Sequence, residues 1–398
     1  MPDHLATVDP RVLRRWRRTV TGAFALGGIA TSAWGPRLPA VKADLRIGTA
    51  TIGVVLAGAT AGALGGLLAA SPLLGRFGSR RSVAGALVAV AASLALVGAG
   101  LTLGSLPLVA AAFVVVGAGI GTLDVAINVE GAAIERASGR TRMPMMHAAW
   151  SIGVGVGSGI GAACAAAGVD PAAQFAAEAA AIALVALVTA SGIPAGRRAV
   201  AELAVRRSAR VRRWLRGWLD GRLLLIGLVL FGVELGEGSA NSWLALAARA
   251  GHGEPVAVAA AFLTVFAAGE ALSRLFGGPV VDRLGRVATI RVTTALGAVG
   301  VVLFVEGSGL VVALTGVVLW SVGVSMGFPL GMSAAAESGP DPASRVSVVA
   351  SVGYFAGLAG PPVVGALAQE TSLLHALLLV AASLLAAFAV AGSLRTRR

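Results

Sequence analysis

Apolar stretches of roughly 20 residues recur along all 398 residues of the chain. At about 1.5 Å per residue, each is long enough to cross a bilayer core of about 30 Å as a helix. The short alternating segments of a membrane β-barrel are absent. Composition agrees, with 57% of residues hydrophobic and 13% charged, against about 25% charged in an ordinary soluble domain. The expected fold class is an all-α membrane protein. Its twelve transmembrane helices are expected at 18–39, 50–73, 82–103, 107–134, 145–168, 171–193, 222–248, 256–280, 288–306, 310–336, 346–369 and 371–393.

The N-terminus reads as a first span and not as a cleaved signal. The leading 18 residues are polar and Arg-rich, and the apolar segment behind them lacks a small-residue cleavage site. The single cysteine, Cys164, excludes an internal disulfide and has no metal-site spacing.

A net charge of +13 would normally raise nucleic acid as a partner. The placement of the charges argues against it. With both termini inside, 28 of the 32 Lys and Arg residues fall on the cytoplasmic side. Only Arg37, Lys42, Arg46 and Arg249 fall outside. That asymmetry is the positive-inside pattern of a multi-pass protein of the cytoplasmic membrane, and the surplus charge faces anionic lipid. No nucleic-acid partner is expected, and the chain is expected to act as a monomer.

The chain divides near its middle. Residues 1–193 and 222–398 each hold six spans, joined by a basic cytoplasmic linker at 194–221. The linker mixes Arg with Trp214, Leu215 and Trp218, a pattern suited to an amphipathic helix on the inner leaflet. An internal repeat supports the division. LLGRFGSRRSV after span 2 aligns with VVDRLGRVATI after span 8 at an offset of 207 residues. Two pseudo-symmetric six-helix bundles are the expected result, with a solute site near the midplane. Small residues at spacing four, such as Gly153, Gly157 and Gly161, favour close helix packing in lipid.

Ionisable residues inside such spans are costly, at least about 2.5–3.5 kcal/mol each on insertion scales. Glu234, Glu237 and Asn241 share one face of span 7 through offsets of three and four. At about 18 and 22 Å from the cytoplasmic end, the two carboxylates lie mid-membrane to outer half. Such a pair has the profile of a solute ligand or proton carrier. A structural hydrogen-bond cluster is the competing reading. On span 4, Asp124, Asn128 and Gly131 share a face, and Asp124 lies about 20–25 Å from the outer surface. Asp124 is the first choice for a protonatable coupling residue, with Asn128 as its partner or a solute ligand.

Other positions carry weaker expectations. Glu130 and Glu135 read as interfacial. Glu270 and Arg274, four apart on span 8, are expected to pair. Glu178 reads as either lining or packing, and Trp243 as an outer-interface aromatic. His147 opens span 5, where a structural or gating role is expected. Trp34, Trp150, Trp320 and Tyr354 offer aromatic faces to a solute, although large core residues look the same in sequence.

The repeat carries a family resemblance. GPVVDRLGR, with Gly278, Asp282, Arg283, Gly285 and Arg286, matches at every defined position the G-x-x-x-D-R-x-G-R signature of the major facilitator superfamily. The first copy keeps Arg76 and Gly78 but has Ser71, Gly75 and Ser79 where Gly, Asp and the final Arg belong, with Arg80 one position further on. GTLDVAINVE in span 4 and SVGVSMGFPLG in span 10 resemble fucose-permease-type sugar–proton symporters. Spans 5, 7 and 11 look most like a bacterial inner-membrane branch of unassigned substrate. Span 1 carries Ser32 where fucose-type symporters have a carboxylate. The resemblance implies the superfamily fold and a cytoplasmic latch for the outward-facing state. Asp282 and Arg283 would form it, with Gly285, Arg286, Arg76, Gly78, Arg80 and His147 as further gating positions.

The resulting expectation is a secondary transporter of a small polar solute, a sugar or related metabolite, working by proton-coupled alternating access. No cofactor is expected beyond the proton gradient. No Walker A loop, zinc-binding HExxH or nucleophile elbow appears, so an enzyme is not expected. A drug–proton antiporter is the alternative, although the Gly-Pro element typical of that group on span 5 is found here on span 11. A non-transporting receptor is a further alternative.

Overall fold

The computed structural model describes residues 9–32, 34–194 and 214–395, and among them all regular structure is helical. The chain forms two compact units. One comprises Met1–Gly139 and Ala149–Arg210, the other Arg140–Ala148 and Val211–Arg398. Eight helical stretches among the described residues are long and apolar enough to cross a membrane.

The first unit contains α1 (Pro10–Ser32), the short α2 (Leu38–Asp44), α3 (Thr49–Thr102), α4 (Leu106–Ser138), all but the first turns of α5 (Met143–Ala166), and α6 (Pro171–Ala190). The expected first span, 18–39, is differently bounded. Its helix starts at Pro10 and ends at Ser32, followed by a 3-10 turn at Gly35–Arg37. Pro36 supplies no N–H to the Ser32 carbonyl of a continuing ladder, which accounts for the early stop, and Pro39 sits in the first turn of α2. Val90, Leu94, Phe113, Ile120, Phe175 and Ile182 form the core of this unit.

The second unit contains α7 (Gly221–His252), α8 (Val256–Leu284), α9 (Arg286–Glu306), α10 (Leu310–Ser325), α11 (Gly327–Glu337), α12 (Pro342–Glu370), the single turn α13 (Leu373–Ala376) and α14 (Leu378–Val390). Its core is aromatic. Trp320 is fully buried, with Phe266 edge-on at 5.7 Å and Phe304 at 6.2 Å. Trp320 is therefore a packing residue of this unit and presents no face to a solute.

The internal repeat is visible in the backbone. Gly78 interrupts α3 at φ 76, ψ 162. Gly285, 207 positions later, separates α8 from α9 at φ 80, ψ 159. This left-handed region is accessible to glycine and strained for other residues, so each copy of the motif keeps a Gly at the turn.

Most of linker 194–221 lies outside the described residues. At its end the rings of Trp214 and Trp218 meet edge-on at 5.6 Å. Asp220 then caps α7. Its Oδ1 accepts the Leu223 N–H at 3.1 Å, and Arg345 of α12 donates to Oδ2 at 2.6 Å. Partial burial pushes the Asp220 carboxyl up. The Arg345 hydrogen bond and the Leu223 N–H outweigh that push and hold it below the usual aspartate range. A lowered folded-state value stabilises the fold at pH above the unfolded Asp range, and the contribution is lost as pH falls through the lowered value. We expect the wild type to lose more stability than Asp220→Asn as pH drops below about 4. Parallel acid-unfolding curves for the two proteins would contradict this.

Helices α3 and α4 pack with almost no side chain between them. A Cβ on Gly117 of α4 would strike the backbone carbonyl of Ala59, whereas a Cβ on Gly65 would meet nothing within 4 Å. Gly117→Val should therefore cost at least the ~1–3 kcal/mol typical of overpacking and lower the thermal midpoint in detergent, while Gly65→Val should be nearly neutral. Equal midpoints would show that this approach does not support the unit.

Candidate functional site

Asp124 and Asn128 are both buried in the middle of α4. Offset by four, they share one helix face as the spacing requires. The Asn128 side-chain amide donates to the Asp124 carbonyl at 2.8 Å and to Asp124 Oδ1 at 3.0 Å. Asp124 Oδ2 is buried without a hydrogen-bond partner among the described residues. A buried carboxylate oxygen in that position costs free energy unless it binds a proton or a ligand.

One turn and a half further on, Glu130 is buried and accepts the indole N–H of Trp16 at 2.7 Å. Glu135 is buried as well. Both carboxylates are thus packed inside the protein, and for Glu130 the donor comes from α1. Glu178 accepts from the buried amide of Gln174 at 2.9 Å, within α6.

In the second unit, Glu234 and Glu237 are half-buried and Asn241 is exposed on α7. The Glu234 stem runs over Gly353 of α12, next to the Phe328 ring, and Tyr354 beside it is half-buried. Glu237 stands against a second carboxylate, Glu270, and a guanidinium bridges the two. Arg274 of α8 donates to Glu237 Oε2 at 2.9 Å and also pairs with Glu270, one turn away on its own helix. The sequence spacing anticipated the second contact and missed the first, which joins two helices.

Arg274 makes a third contact that local chemistry explains. Pro329 has no N–H to offer Ser325, four residues earlier in the α10–α11 segment, so that carbonyl would be orphaned. Arg274 Nε donates to Ser325 O at 3.1 Å. The expected span 310–336 is accordingly divided at Met326. One buried guanidinium thus holds two carboxylates and the freed end of α10.

The second motif copy forms a connected surface in this unit. Asp282 Oδ1 accepts the Thr141 N–H at 2.8 Å, just ahead of the N-terminus of α5, where a helix dipole favours an acidic group. Arg286 grips Glu337, at the end of α11, through two bonds of 2.6 and 2.9 Å. Glu337 was not anticipated, and its only signal was a lone acid before the Ser-Gly-Pro stop of span 10. Arg283 is exposed. His147 is buried, with its ring edge-on to Phe328 at 5.3 Å. In the first copy Arg76 and Arg80 are exposed, Arg76 lying over the Phe77 ring at 5.3 Å.

Of the aromatic candidates, Trp34 and Trp150 are half-buried and pack on the core of the first unit. Trp34 meets Phe113 edge-on at 5.3 Å, and the Trp150 ring covers Gly27. Trp243, expected as an interfacial aromatic, is half-buried and donates its N–H to the Pro361 carbonyl at 3.1 Å.

Long apolar helices, a backbone repeat and intramembrane carboxylates define a multi-pass membrane protein of the transporter class. Residues 20–361 match the Major Facilitator Superfamily, and the chain belongs to that family. It is 29% identical over 355 residues to an uncharacterized MFS-type transporter of Yersinia pestis, covering 88% of each chain. It is 30% identical over 374 residues to an uncharacterized transporter of Sinorhizobium fredii, covering 91% of this chain and 93% of the relative. The fold is similar to that of the E. coli fucose:proton symporter FucP, with TM-score 0.80 at 17% identity over 96% of this chain and 98% of that one. It is also similar to the proton:xylose symporter XylE, with TM-score 0.70 at 15% identity over 96% and 95%.

Proposed function

We propose that this member of the superfamily is a proton-coupled secondary transporter that imports a small polar solute, a sugar or related metabolite, across the cytoplasmic membrane. In this reading the chain crosses the membrane twelve times with both termini cytoplasmic. The two bundles, 1–193 and 222–398, act together in alternating access. The observation that carries the reading is the buried Asp124 carboxylate, with one oxygen paired to Asn128 and the other unpartnered. A proton on that oxygen removes a charge from low-dielectric surroundings and permits reorientation; its loss resets the cycle. Glu234, Glu237, Asn241 and Tyr354 supply acceptors and an aromatic face from the second bundle, and the Asp282 and Arg286 contacts act as the cytoplasmic latch. The activities of two solved proteins of similar fold, fucose:proton and proton:xylose symport, favour sugar and proton over drug export.

The test is reconstitution in proteoliposomes. Sugars, polyols, amino acids and organic acids are first screened for thermal stabilisation of the purified protein. The best ligand is then assayed for uptake with and without an inward proton gradient. Uptake that rises with the gradient and collapses with a protonophore is expected. Exchange of the labelled solute that ignores the gradient would remove proton coupling, and absence of any exchange would remove transport of that solute.

A further inference from the structure

The junction of α8 and α9 carries a pocket of about 460 Å³, lined by Leu284, Arg286, Val287, Arg291, Val292 and Arg395 among others. Three guanidinium groups stand around it, but they are not equivalent. Arg286 is committed to Glu337. No carboxylate pairs with Arg291 or Arg395 among the described residues. The Arg291 guanidinium lies 5.7 Å from the centroid of the Phe388 ring on α14, a geometry that holds the cation against an apolar surface.

The rest of the lining is greasy. Leu284 and Val292 are 54% and 50% exposed and Leu394 is fully buried, while Phe388, next to the lining through Arg291, is 38% exposed. A small soluble anion would use the two arginines and leave the leucine and valine faces in water. A ligand with an anionic head and an acyl chain uses both.

We propose that this pocket is a binding site for one anionic phospholipid of the inner leaflet. The phosphate lies between Arg291 and Arg395, and the acyl chains run along Leu284, Val292 and Phe388. The choice of leaflet rests on the charge asymmetry of the proposed topology, whereas the pocket chemistry is independent of it and of the transported solute. A guanidinium near a membrane surface favours anionic lipid by about fivefold to tenfold, so two acting together give a site that survives mild detergent.

Native mass spectrometry of the full chain in detergent tests the proposal without requiring transport. Dioleoylphosphatidylglycerol is titrated against dioleoylphosphatidylcholine. Wild-type protein should retain one phosphatidylglycerol more than Arg291→Ala/Arg395→Ala, whose affinity for that lipid should fall by about tenfold or more. Arg291→Lys/Arg395→Lys should recover most of the loss, which separates lost charge from lost folding. Arg216→Ala removes a charge at an exposed position outside the pocket lining and should leave retention unchanged. Equal retention of the two lipids, equal retention by wild type and the double alanine variant, or the same loss in Arg216→Ala would each overturn the site. Displacement of the retained lipid by equimolar glycerol 1-phosphate would overturn the assignment to a lipid in favour of a free phosphate site.

Discussion

Replacing Arg274 with Met should be among the most damaging single changes in the second unit. The guanidinium is buried and holds Glu237, Glu270 and the Ser325 carbonyl together. Removing it strands the buried Glu270 carboxylate, the half-buried Glu237 carboxylate and one backbone acceptor. Breaking a buried ion pair from one side costs about 3–5 kcal/mol, because a charge as buried as Glu270 is left with neither water nor partner. The thermal midpoint of purified Arg274→Met in detergent should fall sharply. Adding Glu237→Gln and Glu270→Gln in the same chain should restore much of the loss, since the stranded charges are then gone. Arg274→Lys should be intermediate, because one ammonium cannot reach three acceptors with the geometry of a guanidinium fork. An unaltered midpoint for Arg274→Met would show that the cluster does not hold α7, α8 and α10 together.

Asp124→Asn should separate transport from coupling. The amide fills the same volume on α4 and can still bond Asn128, so the first unit should fold and insert normally. It cannot gain or lose a proton. On the proposed mechanism, accumulation of solute against its gradient should be abolished, while exchange of labelled for unlabelled solute persists. Asp124→Asn protein that still concentrates solute, with the wild-type pH dependence, would take the coupling role away from this residue. The corresponding Glu237→Gln change should also abolish proton-coupled uptake. It leaves Arg274 paired to Glu270 alone and removes a half-buried carboxylate from the face shared with Glu234.

Much of the architecture was legible without coordinates, because bilayer thickness and backbone hydrogen bonding leave an apolar 20-residue segment few options. The repeat at an offset of 207 residues likewise located the two glycines with positive φ, since a glycine turn between helices is a local property. The Asp124–Asn128 and Glu270–Arg274 contacts followed from helical spacing for the same reason. Interruptions were harder to read. Pro36 ends α1 early, and Pro329 divides span 10, yet Pro361 and Pro362 lie within α12 without ending it.

What the sequence determined by itself was therefore local: helical segments, their faces in the sense of shared offsets, the repeat, and the presence of carboxylates within apolar helices. What only the tertiary structure decided was which distant groups meet. Arg274 reaches Glu237 across 37 positions, Arg286 reaches Glu337 across 51, and Trp16 reaches Glu130 across 114. Periodicity places a side chain on a face of its own helix. The partner on a neighbouring helix depends on how the helices pack, and helix packing in lipid is set by small-residue contacts such as Gly117 against Ala59 that carry no label for the polar groups they bring together.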